Sequence, residues 1–182
     1  MLIYIEREAL DISPVVLPYI LIFLLGVSEL SDAFDGIIAR RYNQVTDLGK
    51  LLDPMADSIS RISVFLTFTL PPVNLHMVLI FIFLYRDSVI STLRTICALK
   101  GFALAARMSG KIKAVIQAIA AFIILFMMIP HSLGYITTHT LHIVSTWVVA
   151  IAGIYALLSG VDYIYANRLY IYKLLTLDPK KD

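Results

Sequence analysis

The segment SDAFDGIIARRYNQVTDLGKLLDPMADSISR, residues 31–61, holds four aspartates at helical spacing: Asp32 with Asp35, and Asp53 with Asp57. Residues three or four apart share one face of a helix, so two helices through this segment would each present a pair of carboxylates. Carboxylates are costly where water is scarce, and the surrounding sequence is strongly apolar. No His or Cys lies among them, and such all-oxygen sets suit Mg²⁺ or a similar cation. The spacing therefore predicts a divalent-metal site between two helices.

Small residues accompany the aspartates on the same stripes, at Gly36 and Gly49. A glycine inside a helix costs roughly 1 kcal/mol relative to alanine, but its missing Cβ lets a bulky ligand or a second helix approach the backbone closely. Arg40, one turn after Gly36, offers a fixed fork of donors suited to phosphate. Metal, open backbone and guanidinium together indicate a diphosphate site.

The order and spacing of these residues resemble the signature of the CDP-alcohol phosphotransferase family. All eight signature positions are filled, at Asp32, Asp35, Gly36, Ala39, Arg40, Gly49, Asp53 and Asp57. The resemblance implies an integral membrane enzyme, usually a homodimer with six transmembrane helices. Such enzymes replace CMP on a CDP-linked lipid with an alcohol and use two metal ions.

The resemblance also implies a role for each signature position. Asp32, Asp35, Asp53 and Asp57 would bind two Mg²⁺ ions, with Mn²⁺ as an alternative, and Asp57 would also take the proton from the acceptor hydroxyl. The CDP part of CDP-diacylglycerol would be bound by Gly36, Ala39, Arg40, Thr46 and Gly49. Glu29, one turn before the signature, is expected to pair with a neighbouring side chain rather than to ligate metal.

Composition independently indicates a membrane protein. Hydrophobic residues make up 59% of the 182 residues and charged residues 15%, and the mean hydropathy is +0.84, values that a soluble domain of this size rarely has. The net charge of +2 gives no argument for nucleic acid as a partner. Cys97 is the one cysteine, so an intrachain disulfide is excluded.

Five transmembrane helices are predicted, in a single all-α membrane domain over residues 1–182. Several apolar runs are shorter than the roughly 20 residues that cross a bilayer, but each continues into a polar stretch compatible with a helix. Pro71-Pro72 is expected to end the second helix and Pro130 the fourth. The apolar runs cover about 14–31, 62–70, 73–85, 112–129 and 142–160.

Lysine and arginine are distributed unevenly between the two sets of connections. The turns at 71–74 and 130–141 contain neither residue, whereas the connections near 40–50 and 100–113 and the tail after 167 contain many. By the positive-inside rule the basic connections should be cytoplasmic. The aspartate pocket lies at the same end, which predicts a site facing the cytoplasm in a bacterial cytoplasmic membrane.

The N-terminus departs from the family pattern. Members usually carry a juxtamembrane segment and one more transmembrane helix before the signature helix, whereas residues 1–14 alone precede it here. Residues 2–5 resemble the tail of such a span, and residues 6–11 a charged loop after it. We therefore expect a chain that starts late, and this raises the question of whether it is active and dimeric.

A second group of cations is predicted to bind the phosphate of the acceptor. The stretch from residue 86 to 117 resembles the corresponding region of bacterial phosphatidylglycerophosphate synthases, which use glycerol 3-phosphate. The candidate side chains are Arg86, Arg94, Lys111 and Lys113, and Gln117 closes the resembling stretch. Two positions depart from that subfamily: Asp87 stands where Glu is usual, and Ser58 where Lys is frequent.

Alternatives remain within the family and outside it. Inositol phosphate or phosphatidylglycerol could replace glycerol 3-phosphate as acceptor. A divalent cation carrier is the alternative from another class, with the aspartates lining its pathway. It leaves the small residues and Arg40 without a role, and an arginine beside the pathway would repel the cargo.

Overall fold

A computed structural model describes residues 2–6, 10–41, 47–99 and 107–176, with side chains described for 3–6, 10–31, 34, 55–99 and 107–172. Within these ranges the chain forms seven helices and no strand. The helices are α1 (Leu2–Ile5), α2 (Leu17–Arg41), α3 (Asp47–Thr67), α4 (Met77–Leu99), α5 (Met108–Ser132), α6 (Thr138–Ala166) and α7 (Arg168–Thr176).

The five long helices, α2 to α6, are those predicted from the sequence, and each has 21 to 29 residues. At 1.5 Å per residue all five are long enough to cross a bilayer. Helices α5 and α6 are also apolar enough throughout to span a membrane, whereas the apolar part of α2 is the shorter segment Leu17–Ser31. The predicted all-α membrane protein is confirmed.

One predicted boundary is wrong. Pro130 does not close its helix but lies inside α5, which ends at Ser132. Proline removes one backbone donor, the partner of a carbonyl one turn earlier, but the hydrogen bonding continues past it: Leu133 N–H donates to Ile129 O (3.1 Å) and Tyr135 N–H to Pro130 O (2.9 Å). The chain then reverses at Gly134, whose φ of +79° suits a residue without a Cβ.

The long helices alternate in direction. Arg107 and Ser109 beside the start of α5 contact Asp162 near the end of α6, and His131 at the end of α5 contacts Thr138 at the start of α6. We call the end of the bundle with the finish of α2, α4 and α6 the motif end, and the opposite end the far end. The exposed cations Arg107, Lys111 and Arg168 lie at or near the motif end, as the uneven distribution of charge predicts.

The core is aromatic and aliphatic, and the outside is apolar as well. Phe65 packs on Phe83 at 5.1 Å between ring centroids, joining α3 to α4. Facing outward, Phe23, Val78 and Trp147 are 67–70% exposed. Large apolar side chains on the surface of several helices are what a lipid environment favours and water does not.

The short helix α1 is held at the far end. Tyr4 is buried, and its hydroxyl donates to Pro71 O at 3.0 Å. This contact fixes the N-terminal segment against the connection that follows α3.

Candidate active site

The structure places the signature on α2 and α3, two helices that line one cavity and are joined by an ion pair between Glu29 and Arg61. Residues 32–40 of the signature lie in the last third of α2, and Gly49, Asp53 and Asp57 lie in the first half of α3. Asp57 is the signature residue whose side chain is described; the other signature side chains, and Thr46 altogether, lie outside the described residues. The four-aspartate metal set therefore stays a prediction, supported by the placement of its helices.

Asp57 lines a cavity of about 250 Å³ between α2, α3 and α5. The charged lining residues and Gln117 lie closer to the motif end, and most of the apolar ones lie closer to the far end. Thr67 is a polar exception in α3, and its hydroxyl donates to Val64 O at 2.6 Å. The polar part includes Glu29, Asp57, Ser60, Arg61 and Gln117, and the apolar part includes Leu21, Leu25, Val64, Phe68 and Leu125. A cavity graded in this way matches an amphiphilic ligand, with a charged group at one end and hydrocarbon at the other.

Glu29 and Arg61 face each other across this cavity. Glu29 Oε1 lies 3.8 Å from Arg61 Nε, and both side chains are less than one third exposed. This is the pairing role expected for Glu29.

A buried ion cluster lies beside Asp57, centred on Asp87 of α4. Lys113 Nζ donates to both carboxylate oxygens at 2.8 Å, and Arg86 Nη1 donates to Oδ1 at 2.9 Å. The Ser58 hydroxyl donates to Oδ2. Asp87 and Lys113 are each more than nine-tenths buried, and buried charges need such partners. We call Ser58, Arg86, Asp87 and Lys113 the Asp87 cluster.

The Asp87 cluster ties four helices together next to the cavity. Arg86 Nη2 donates to Ser159 Oγ of α6 at 2.9 Å, and Ser58 directly follows Asp57 in α3. Two cations and one carboxylate leave a net charge of about +1 in a buried place. Arg61 lies one turn after Ser58 on α3 and adds a further positive charge near this level of the bundle.

Of the four cations predicted to bind the acceptor, the structure brings two together and places the other two apart from them. Arg86 and Lys113 meet at Asp87, whereas Lys111, two residues before Lys113, is exposed. Arg94 lies two turns beyond Arg86, where its Nε donates to Tyr163 OH at 3.2 Å. Arg86 and Arg94 both contact α6, at Ser159 and Tyr163. These contacts agree with the prediction that the two arginines lie on one face of α4.

Sequence reasoning missed that Ser58 and Asp87 contact each other, although it noted both positions as departures from the subfamily. It also gave Gln117 no role. The sequence does carry a signal for the contact between Asp87 and Lys113. An aspartate inside an apolar helix needs a cation nearby, and Lys113 is a charged residue near the start of another apolar span.

Comparison with known proteins gives the family. Residues 15–165 match the CDP-alcohol phosphatidyltransferase family. The CDP-diacylglycerol--glycerol-3-phosphate 3-phosphatidyltransferase of Rickettsia felis is 30% identical over 147 residues, covering 81% of this chain and 78% of its own length. The protein of the same name from Bacillus subtilis is 34% identical over 113 residues, covering 60% of this chain and 56% of its own. A cardiolipin synthase (CMP-forming) of Streptomyces coelicolor is 50% identical over 38 residues, 21% of this chain and 18% of its own.

The family match covers most of the chain and includes the whole signature and the cavity-lining helices. It confirms the resemblance drawn from the eight signature positions and assigns a class of enzyme. The chain therefore belongs to the CDP-alcohol phosphatidyltransferase family, and it is a transferase.

Proposed function

We propose that this protein transfers the phosphatidyl group of CDP-diacylglycerol to glycerol 3-phosphate, giving phosphatidylglycerol phosphate and CMP. The observation that carries the proposal is the graded cavity between α2, α3 and α5, with Asp57 in its polar part. Its apolar part suits the hydrocarbon of a lipid substrate. The buried cations beside it suit a dianionic acceptor better than an uncharged one.

Members of this family generally depend on a divalent metal. The donor set of this chain fits such ions, because the aspartates form one pair on α2 and one on the antiparallel α3, and Asp57 lines the cavity. Asp32, Asp35, Asp53 and Asp57 would hold two Mg²⁺ or Mn²⁺ ions. When bound, these would supply neutralising charge for the diphosphate of the lipid substrate.

The residues of the chain would bind the reactants and move one proton. Gly36, Ala39, Arg40, Thr46 and Gly49 bind the CDP part in this proposal. Asp57 accepts the proton of the acceptor hydroxyl as its oxygen bonds to the phosphatidyl phosphorus, and the bond from that phosphorus to CMP breaks. A carboxylate among cations is a weak base, so Asp57 must act through its position within hydrogen-bond reach of the hydroxyl.

The Asp87 cluster would receive the phosphate of the acceptor. Arg86 and Lys113 already donate to one anion, the Asp87 carboxylate, and cations of these types also bind phosphate. Arg94, whose guanidinium is held by Tyr163, extends the cationic face toward the motif end. Lys111 is exposed beside the same helix start and would attract the acceptor from outside.

We further propose that the motif end faces the cytoplasm of a bacterial cytoplasmic membrane and that the protein acts as a homodimer of single-domain chains. The exposed cations at the motif end support this orientation. A cytoplasmic acceptor would then reach the polar part of the cavity without crossing the bilayer.

An acceptor panel tests the proposal. Purified protein in mixed micelles with CDP-diacylglycerol and Mg²⁺ should release CMP with glycerol 3-phosphate, and much more slowly with inositol phosphate or phosphatidylglycerol. Preference for phosphatidylglycerol would favour the chemistry of the Streptomyces coelicolor relative. No CMP with any acceptor, together with metal flux into vesicles, would favour the cation carrier.

A further inference from the structure

Gln117 is a buried polar side chain with an unmet hydrogen bond. It is 1% exposed, it lines the cavity that contains Asp57, and its Oε1 has no donor among the described residues. A buried acceptor without a donor is unfavourable, because it has lost its hydrogen bond to water and gained none in return. An amide in this position is therefore suited to a ligand that brings an O–H or N–H group into the cavity.

The chemistry of the two reactants narrows the choice of ligand. The diacylglycerol part of the lipid substrate carries ester oxygens, which accept hydrogen bonds but donate none. Its CDP part carries donors on the ribose and the cytosine, but the proposal assigns that part to the signature residues of α2 and α3 and not to α5. Glycerol 3-phosphate carries two hydroxyls, of which one reacts and the other remains as a donor. The unmet Oε1 of Gln117 matches this second hydroxyl.

The position of Gln117 fits the same ligand. It lies one turn after Lys113 on α5, about 6 Å along the helix axis, and both side chains are buried. A ligand whose phosphate lies near Lys113 is therefore within about one helical turn of Gln117. With its phosphate near Lys113 and its reacting hydroxyl near Asp57, its middle hydroxyl would point toward Gln117.

We infer that Gln117 binds the non-reacting hydroxyl of the acceptor and so selects phosphorylated polyols over phosphorylated mono-alcohols. This inference rests on the proposed function. It makes Gln117 a specificity-determining residue of the acceptor site, with no part in the proton transfer.

The test compares glycerol 3-phosphate with 3-hydroxypropyl phosphate, which has the same length and reacting hydroxyl but lacks the middle one. The wild type should prefer glycerol 3-phosphate by roughly 10- to 100-fold in kcat/KM, the range expected for one buried hydrogen bond. Gln117→Met keeps the side-chain length and removes the carboxamide. It should lose most of that preference by slowing glycerol 3-phosphate alone.

Ser145→Ala is the matched control. Ser145 on α6 also carries a buried oxygen without a partner among the described residues, but it does not line the cavity. Its removal should leave the acceptor ratio at the wild-type value. Should Gln117→Met not fold, Gln117→Asn withdraws the carboxamide by one methylene and should lower the ratio in the same direction.

The outcomes separate the inference from the function on which it rests. Equal rates of the wild type with both acceptors, or an equal loss with both in Gln117→Met, would overturn the role of Gln117 while the transferase reaction stands. No CMP from the wild type with any acceptor would overturn the proposed function and this inference with it.

Discussion

Replacing Asp87 by asparagine should destabilise the bundle strongly. The carboxylate is 8% exposed and accepts from Lys113, Arg86 and Ser58. Asparagine keeps one acceptor oxygen but removes the charge, so two buried cations would face a neutral partner. Losing one member of a buried ion pair costs roughly 3–5 kcal/mol. Since each kcal/mol shifts the midpoint of a chain of this size by roughly 2–4 °C, the midpoint should fall by roughly 6–20 °C.

The chain carries its own reporter for this measurement. Cys97 is the one cysteine in the sequence, and it is fully buried in α4, the helix that holds Asp87. A maleimide dye that fluoresces on reaction should therefore label the protein as it unfolds. The midpoint of labelling against temperature, in detergent micelles, gives the stability of each variant.

Asp162→Asn is the matched control for Asp87→Asn. Asp162 also pairs with an arginine, at 3.0 Å from Arg107 Nε, but its side chain is 40% exposed and that of Arg107 42%. Exposed ion pairs contribute little, because water solvates both groups when the pair is broken. Asp162→Asn should therefore stay close to the wild type. If both variants shifted the labelling midpoint equally, the buried pairing of Asp87 would be refuted.

Two further predictions concern packing and metal. A Cβ at Gly160 would lie 3.2 Å from Arg86 Cγ, so Gly160→Ala should destabilise the protein by roughly 1–3 kcal/mol through overpacking. In Gly153→Ala the new Cβ would lie 3.7 Å from Ile82, an ordinary contact, so this variant should be tolerated. The cysteine-labelling assay measures both variants. Equal midpoints for these two variants would show that Arg86 has room to move. Chelation of divalent cations should abolish CMP release, and Mg²⁺ or Mn²⁺ should restore it; full activity in excess chelator would contradict the metal set of Asp32, Asp35, Asp53 and Asp57.

The helices could be predicted from the sequence because their causes are local. Helices α2 to α6 lie where the sequence predicts them. Their positions depend on features that act within a few residues: apolar runs, the Pro71-Pro72 pair and the spacing of the signature. The prediction that Pro130 ends the fourth helix was wrong because a proline near a helix end removes only one hydrogen bond. The helix continues past it, since Leu133 N–H still donates to Ile129 O.

The Asp87 cluster could not be predicted in the same way. It joins Ser58 to Asp87, 29 residues apart, and Asp87 to Lys113, 26 residues apart. Such contacts depend on how three helices are rotated and shifted relative to one another, and a hydrophobic pattern fixes that only loosely. For the same reason, the exposure of Lys111 and the burial of Gln117 could not be predicted from the pattern of residues alone.

The most direct test of the account compares Asp57→Asn with Glu29→Gln. Both carboxylates line the same cavity. In the proposal Asp57 takes the proton of the acceptor, whereas Glu29, 3.8 Å from Arg61 Nε, has a pairing role only. CMP release from CDP-diacylglycerol with glycerol 3-phosphate should fall by roughly 10²–10⁴-fold in Asp57→Asn, the usual loss when a general base is removed, while CDP-diacylglycerol binding is largely kept. Glu29→Gln should retain most of the turnover. Equal turnover in Asp57→Asn and the wild type would contradict the assignment of Asp57 as the base.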